Sequence, residues 1–157
     1  MNPPPLPPPL PDRKPPPRLR SRIALGGLAV SAVTYLVSLS LPALLFAEHA
    51  PVSGATVLAS GWMGIFAGGQ LGWYANPLYA TAIILTLTRR YRGALWFGLA
   101  ALPVALHSRA ATAYYFNEAN STGIEGLGSA FSVWFAALAI LPVASALALL
   151  SLRPRRA

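Results

Sequence analysis

The strongest constraint on this chain is the stretch from Val57 to Thr88, which contains no charged residue. About 20 apolar residues cross the hydrocarbon core of a bilayer, whereas two spans with a turn need about 40 or more. The stretch is long enough for one membrane-spanning helix and too short for two. The sequence therefore predicts an integral membrane protein with one helix here.

Three glycines, Gly64, Gly68 and Gly72, recur at every fourth position of this predicted helix. Residues spaced by four lie on one helix face. Helices in a bilayer associate by close approach, which small residues permit. We interpret the three glycines as helix-packing residues that form a groove for another helix.

Two amides, Gln70 and Asn76, lie among apolar residues, and Asn76 is followed by Pro77. Proline lacks an N–H, so the carbonyl of Trp73 loses its helical donor and a kink is expected. In one interpretation these groups line a pocket of the kind that interrupted helices form in transporters. In the simpler one, the amides bond to neighbouring helices and the proline is an ordinary kink.

The composition excludes an ordinary soluble domain, because only 10% of the residues are charged and 55% are hydrophobic, whereas about a quarter are charged in a typical soluble domain. The net charge of +8 comes from short basic clusters between apolar runs. Membrane topology accounts for these clusters better than nucleic-acid binding, so we expect no nucleic-acid partner.

The predicted fold is an all-α membrane protein, a four-transmembrane-helix up-down bundle with a disordered proline-rich N-terminal tail. Residues 1–22 form the disordered cytoplasmic tail, residues 23–150 the membrane domain and residues 151–157 a basic cytoplasmic tail. The spans are expected at about 23–47, 57–88, 93–115 and 128–150. Leu45–Ala47 resembles a signal-peptide cleavage site. The first apolar segment is, however, longer than the about 7–15 residues of a signal peptide's apolar region, so an uncleaved anchor is expected.

Orientation follows from the basic residues. With both termini in the cytoplasm, eleven of the twelve lysines and arginines lie on the cytoplasmic side, as the positive-inside rule requires. The abundance of arginine, alanine, proline and leucine favours a GC-rich bacterial genome. The predicted location is the bacterial cytoplasmic (inner) membrane.

Arg109 is the one basic residue outside the cytoplasmic clusters, and a charge at the bilayer centre costs about 3 kcal/mol or more. Helical rise places Gln70, Asn76, His107 and Arg109 in one layer of the outer half, where they form a candidate polar pocket. Alternatively, Arg109 extends to Glu118 or a lipid phosphate and only anchors its helix.

Three prolines, Pro77, Pro103 and Pro142, fall at similar depths in different predicted spans. Coinciding kinks would open a small cavity or act as hinges. Independent occurrence in proline-rich spans is the alternative.

Chemistry-bearing motifs are absent from the sequence: it has no cysteine, no H-E-x-x-H motif and no phosphate-binding glycine loop. His49 and His107 are too far apart along their helices to share a metal or a haem. We therefore predict no catalytic residue, metal or cofactor, and a protein that is not an enzyme.

Two functions follow from these patterns. The first is a membrane component whose partners are the lipid bilayer and other membrane helices, either as a homo-oligomer or as an accessory subunit. The alternative is a small transporter or channel with a polar site in the outer half of the bilayer.

Overall fold

The computed structural model describes residues 17–66, 69–116 and 121–151. These residues are mostly helical, with short strands at one end of the molecule. The α-helices are α1 (Pro17–Ser40), α2 (Gly54–Ser60), α3 (Ala75–Leu87), α4 (Tyr91–Leu106) and α5 (Ser129–Leu150).

Four helices pack side by side, with α1 against α5, α5 against α4, and α4 against α3. At one end of this bundle, the Arg20 guanidinium lies 4.5 Å from the centroid of the Tyr91 ring. Ala24, Tyr91 and Ala148 form a buried cluster at the same place. The start of α1, the α3–α4 turn and the end of α5 therefore lie together, and we call this the basic end.

The close helix contacts occur at glycines other than the predicted ones. A Cβ on Gly27 of α1 would overlap Ala144 of α5, and a Cβ on Gly98 of α4 would lie 3.0 Å from Pro142 of α5. Neither glycine belongs to a regular four-residue repeat, so spacing gave no sign of them. Most other buried residues along the bundle are alanines, which keep the helices close.

The first helix begins and ends earlier than predicted. Residues 17–22, expected in the disordered tail, form the first turns of α1, while residues 1–16 of that tail lie outside the described part of the chain. The helix ends at Ser40 because Pro42 disfavours helical dihedrals at Leu41 and cannot donate to a helix. The predicted end at residue 47 is therefore corrected.

The predicted second span is not one helix. After α2 the chain continues as a 3₁₀ helix, Gly61–Ile65, and returns through a second 3₁₀ helix, Gly72–Tyr74, into α3. The N–H of Gln70 donates to the carbonyl of Gly64 at 3.0 Å, and the indole N–H of Trp73 donates to the carbonyl of Leu58 at 2.8 Å. Residues 54–66 and 69–74 therefore pack against each other as a helical hairpin, and only α3 follows the predicted path.

Glycine explains this reversal. Positions 61–72 contain five glycines, and each costs about 1 kcal/mol relative to alanine inside a helix. Gly69 has φ of +70°, a left-handed conformation that glycine adopts without steric cost. The high glycine content of this segment thus disfavours a continuous helix.

The third predicted span corresponds to α4, which ends at Leu106 rather than near residue 115. A short 3₁₀ helix, His107–Ala110, follows it and leads into a strand. The fourth predicted span, 128–150, agrees with α5 to within one residue at its start. Of the predicted tail at 151–157, only Ser151 lies in the described part.

The other end of the bundle carries β-structure, which corrects the all-α prediction. Strands β1 (Pro42–Leu45), β2 (Val52–Ser53) and β5 (Gly126–Leu127) form an antiparallel sheet in the order β2-β1-β5, and β3 (Ala113–Tyr115) pairs with β4 (Ser121–Gly123). We call these strands, α2 and the Gly61–Ile65 helix the cap. Its buried cluster includes Leu44, Phe46 and Val52.

Two of the described helices, Arg18–Ser40 and Ser129–Leu150, are long and apolar enough to cross a membrane. Helices α3 and α4 are shorter, with 13 and 16 residues.

The helical hairpin predicts a disulfide in the double variant Gly64→Cys/Gln70→Cys. A Cβ on Gly64 would lie 3.2 Å from the Cβ of Gln70, close to the about 3.5–4.5 Å that a disulfide needs. In one continuous helix these positions would be about 9 Å apart along the axis. Mass spectrometry of the oxidised protein should find the intramolecular disulfide.

The matched control is Thr81→Cys/Leu87→Cys, which has the same spacing within α3 and should stay reduced. No other thiol interferes, because the chain has no cysteine. Free thiols at positions 64 and 70 after oxidation would contradict the hairpin.

Candidate functional site

Asn76 joins three helices where the bundle meets the cap. Its Oδ1 accepts from the Tyr35 hydroxyl of α1 at 2.9 Å and from the indole N–H of Trp134 of α5 at 3.0 Å. Its Nδ2 donates at 2.9 Å to the carbonyl of Trp73, the group that Pro77 leaves without a helical donor. Asn76 therefore acts within the chain, as the simpler interpretation of its sequence context predicted.

A second polar contact lies one turn deeper in the bundle. The Ser31 hydroxyl donates to the carbonyl of Ala137 at 2.7 Å, and its oxygen lies 2.6 Å from the Tyr79 hydroxyl. Since the one hydroxyl hydrogen of Ser31 is used, the Tyr79 hydroxyl donates to Ser31. The ring of Tyr79 also stacks on Tyr35 at 5.3 Å, so both polar contacts form one network across α1, α3 and α5.

A cavity of about 210 Å³ lies between this network and the cap. It is larger than an apolar protein cavity of about 150 Å³ that binds benzene. Exposed Met63 and Tyr115 belong to its lining, so it is open on one side. Among the described residues, no Asp, Glu, Lys, Arg or His side chain lines it. This cap cavity therefore suits a neutral, largely apolar occupant.

Gln70 lines this cavity and has one polar atom without a hydrogen-bond partner among the described residues. Its Nε2 donates to the carbonyl of Ala110 at 3.1 Å. Its Oε1 is buried and has no hydrogen-bond partner among the described residues. The bond to Ala110 fixes which end of the amide is the oxygen. A buried acceptor left without a donor costs about 1–3 kcal/mol, so the cavity favours an occupant that donates a hydrogen bond.

The four residues of the predicted polar pocket are close together, but only two line the cavity. His107 Nδ1 accepts from the N–H of Leu71 at 3.3 Å, which places it beside Gln70. The Arg109 guanidinium lies 5.4 Å from the centroid of the Phe131 ring. Both side chains are exposed and lie outside the lining, whereas Gln70 and Asn76 belong to it. Glu118, the predicted partner of Arg109, lies outside the described residues.

The predicted packing glycines face groups of the same chain. Gly64 packs against Gln70, and a Cβ on Gly72 would overlap the Ser108 hydroxyl. Gly68 lies outside the described residues. Gly64 therefore packs within the hairpin and Gly72 against the 3₁₀ helix His107–Ala110, and the two do not form a groove on one helix.

The three prolines have different roles. Pro77 lies in the first turn of α3, where its missing N–H removes no hydrogen bond within the helix. Only the Trp73 carbonyl, before the helix, loses a donor, and the Asn76 amide replaces it. Pro103 and Pro142 lie inside α4 and α5, and Pro142 packs against Gly98. The expected kink at Pro77 is thus replaced by a helix start.

Sequence reasoning missed Tyr35, Trp134 and Ser108 as residues of this region. The sequence does contain a pattern that includes Tyr35, because Ser31, Tyr35 and Ser38 have the spacing of one helix face. Trp134 lies within the fourth predicted span, and no spacing rule pairs it with Asn76. Nothing in the sequence pairs Ser108 with Gly72, because that contact depends on the hairpin.

Comparisons with protein families, with curated protein sequences and with solved structures find no match for this chain. The described residues also contain no group of three or more His, Cys, Asp or Glu side chains that could hold a metal ion. The site must therefore be interpreted from its own geometry.

Proposed function

We propose that this protein is a four-span membrane protein that binds a neutral, largely apolar molecule with a hydrogen-bond donor in the cap cavity. The observation that carries the proposal is the buried Oε1 of Gln70, which has no partner among the described residues, beside a cavity whose described lining contains no Asp, Glu, Lys, Arg or His. The binding step is that of a small transporter or of a membrane-embedded binding protein.

The membrane placement is supported by apolar side chains on the outside of all four long helices. Leu36 of α1 is 65% exposed, Ile84 of α3 60%, Trp96 of α4 70% and Val143 of α5 58%. Soluble proteins rarely expose contiguous apolar surface on this scale, whereas lipid tails solvate it. The short α3 and α4 fit a bilayer that thins locally around them.

Orientation follows from charge. The basic end is placed in the cytoplasm by the positive-inside rule, and the cap then lies on the opposite side. This agrees with Glu48 and Glu125 in the cap. In a bacterium the membrane would be the inner membrane, with the cap cavity open toward the periplasm.

The polar lining supports binding more than catalysis. Aside from tyrosines, no lining side chain of the described residues transfers protons near neutral pH. The accessory-subunit prediction rested on a glycine groove and on the proline-rich tail, most of which lies outside the described residues, and Gly64 and Gly72 are occupied by contacts within the chain. The transporter alternative, with its polar site in the outer half, is therefore favoured.

Single cysteines test the membrane placement. Glu48→Cys lies in the cap and Thr88→Cys in the α3–α4 turn, and both positions are exposed. In intact spheroplasts a membrane-impermeant maleimide should label Glu48→Cys, while Thr88→Cys should react only after lysis. The unaltered chain, which has no cysteine, is the control. Labelling of both without lysis, or recovery in the soluble fraction, would refute the proposed topology.

Fluorescence quenching tests the ligand site, because Trp73 and Trp134 line the cavity. In a Trp62→Phe/Trp96→Phe background, which removes the other two tryptophans, 6-bromohexan-1-ol should quench in a saturable manner. The matched probe 1-bromohexane lacks the donor. The quantity compared is the ratio of the affinity for the alcohol to the affinity for the bromide. This ratio should be about 5- to 10-fold higher with Gln70 than in the same background with Gln70→Leu, which is the effect of one hydrogen bond.

Gln70→Leu should leave quenching by 1-bromohexane unchanged, since that probe donates no hydrogen bond. An affinity ratio of the two probes that is insensitive to Gln70→Leu would mean that both only partition into detergent and would disprove the site.

A further inference from the structure

The basic end contains a second cavity, of about 220 Å³, at the opposite end of the bundle from the cap. Its lining residues come from the first turns of α1, from the α3–α4 turn and from the start of α4. They are Arg20, Arg89, Arg90, Tyr91, Arg92 and Gly93. Four arginines therefore border one open space.

Arg20 is held in place within this cavity. Its guanidinium stacks on the ring of Tyr91, which is buried and whose hydroxyl lies 3.4 Å from the Ser21 hydroxyl. The Nε of Arg20 is itself buried and has no hydrogen-bond partner among the described residues. The stack orients the guanidinium beside the cavity, and guanidinium N–H groups bind anions through charge-assisted hydrogen bonds.

The start of α4 adds further donors. Its N-cap residue, Arg90, makes no side-chain capping bond, and the N–H groups of a first helical turn have no acceptor within the helix. Arg89 has φ of 61°, so the turn before α4 is tight and keeps its arginines near the helix start. The N-terminal end of a helix also favours negative charge.

The described carboxylates do not neutralise this charge. Glu48 and Glu125 both belong to the cap, at the opposite end of the bundle. The positive-inside rule accounts for a basic cytoplasmic surface, but it does not require that arginines from α1 and α4 share one cavity or that one of them stack on a buried tyrosine.

From this geometry we infer that the basic-end cavity binds a phosphate group, supplied by an anionic phospholipid of the adjoining leaflet. Guanidinium groups recognise phosphate through paired N–H donors, and a headgroup at this depth reaches the cavity while its chains contact the exposed apolar side chains of α1 and α4. The inference rests on the membrane placement and is independent of the cap cavity.

The test measures lipid binding to the purified full-length protein in neutral detergent by native mass spectrometry. Phosphatidylglycerol should bind and phosphatidylcholine should not. Arg20→Gln and Arg90→Gln should each weaken phosphatidylglycerol binding about 10-fold, the effect of one charge-assisted contact. Arg20→Lys should weaken it as well, because lysine keeps the charge but lacks the planar fork.

Arg22→Gln is the matched control, since Arg22 is exposed on α1 two residues from Arg20 and does not line the cavity. It removes the same charge and should leave binding nearly unchanged. Circular dichroism and thermal melting establish that each variant is folded. Arg90 is exposed, so Arg90→Gln tests the site even where Arg20→Gln disturbs the stack on Tyr91.

Two results would overturn the inference. In the first, Arg22→Gln and Arg20→Gln lose phosphatidylglycerol binding equally and Arg20→Lys keeps full binding. General surface charge, and not the cavity, would then account for the binding. Displacement of phosphatidylglycerol by an equal concentration of inorganic phosphate would assign the cavity to a free anion and refute the lipid source.

Discussion

The hydrogen bonds of Asn76 are the interaction on which the arrangement of this molecule depends. A proline in the first turn of α3 leaves the carbonyl of Trp73 without its usual donor, and the neighbouring amide supplies one at 2.9 Å. The oxygen of the same amide accepts from Tyr35 and Trp134. A single side chain thus compensates the local defect and ties α3 to α1 and α5 where the cap begins.

This junction separates two kinds of packing. Below it, the helices contact each other through alanines and through Gly27 and Gly98, which allow close approach without large side chains. Above it, a helical hairpin and short strands cover the bundle and leave the cap cavity between them. The ends of the bundle consequently differ in chemistry. Among the described residues, the lining of the cap cavity has no charged side chain and includes Gln70 with its unpartnered Oε1, whereas four arginines border the cavity at the basic end.

Under the proposed function, each of the two cavities has a role. A phosphate at the basic end would fix the depth of the bundle in the bilayer, while a neutral amphiphile would enter the cap cavity from the other surface. Asn76 and Tyr79 lie between the two ends in a hydrogen-bonded network. The rigidity of that network favours a preformed cap cavity rather than one assembled on binding.

Much of the bundle was predictable because its signals are local. The apolar run of α5 gave its bounds to within one residue, and the basic turn at Arg89 and Arg90 marked the α3–α4 connection. Gln70 and Asn76 both line the cap cavity, whereas His107 and Arg109 lie outside its lining. The helical rise used to place Gln70 assumed a continuous helix that the structure does not have.

The cap was not predictable from hydrophobicity, since a helical hairpin and a membrane span can have the same apolar content. The deciding cost was conformational: five glycines within residues 61–72 make a continuous helix about 4–5 kcal/mol less favourable than alanines would. The aromatic and β-branched residues near Tyr114 and Tyr115 favour strands, but their pairing with β4 depends on a turn that no periodicity reveals. The contacts of Tyr35 and Trp134 with Asn76 join residues 41 and 58 positions apart, which spacing rules do not relate.

The most direct test of this account is the unfolding free energy of Asn76→Leu in detergent, followed by circular dichroism, beside Thr81→Val as a control on the same helix. Leucine keeps the volume but leaves Tyr35, Trp134 and the Trp73 carbonyl without their partner. Single hydrogen bonds in membrane proteins average about 0.6 kcal/mol, and unsatisfied buried groups cost about 1–3 kcal/mol each. The account predicts a loss of about 2 kcal/mol or more for Asn76→Leu and almost none for Thr81→Val, which removes only an exposed bond to the Pro77 carbonyl. Equal stability of Asn76→Leu and the unaltered protein would contradict the claim that Asn76 holds α1, α3 and α5 together.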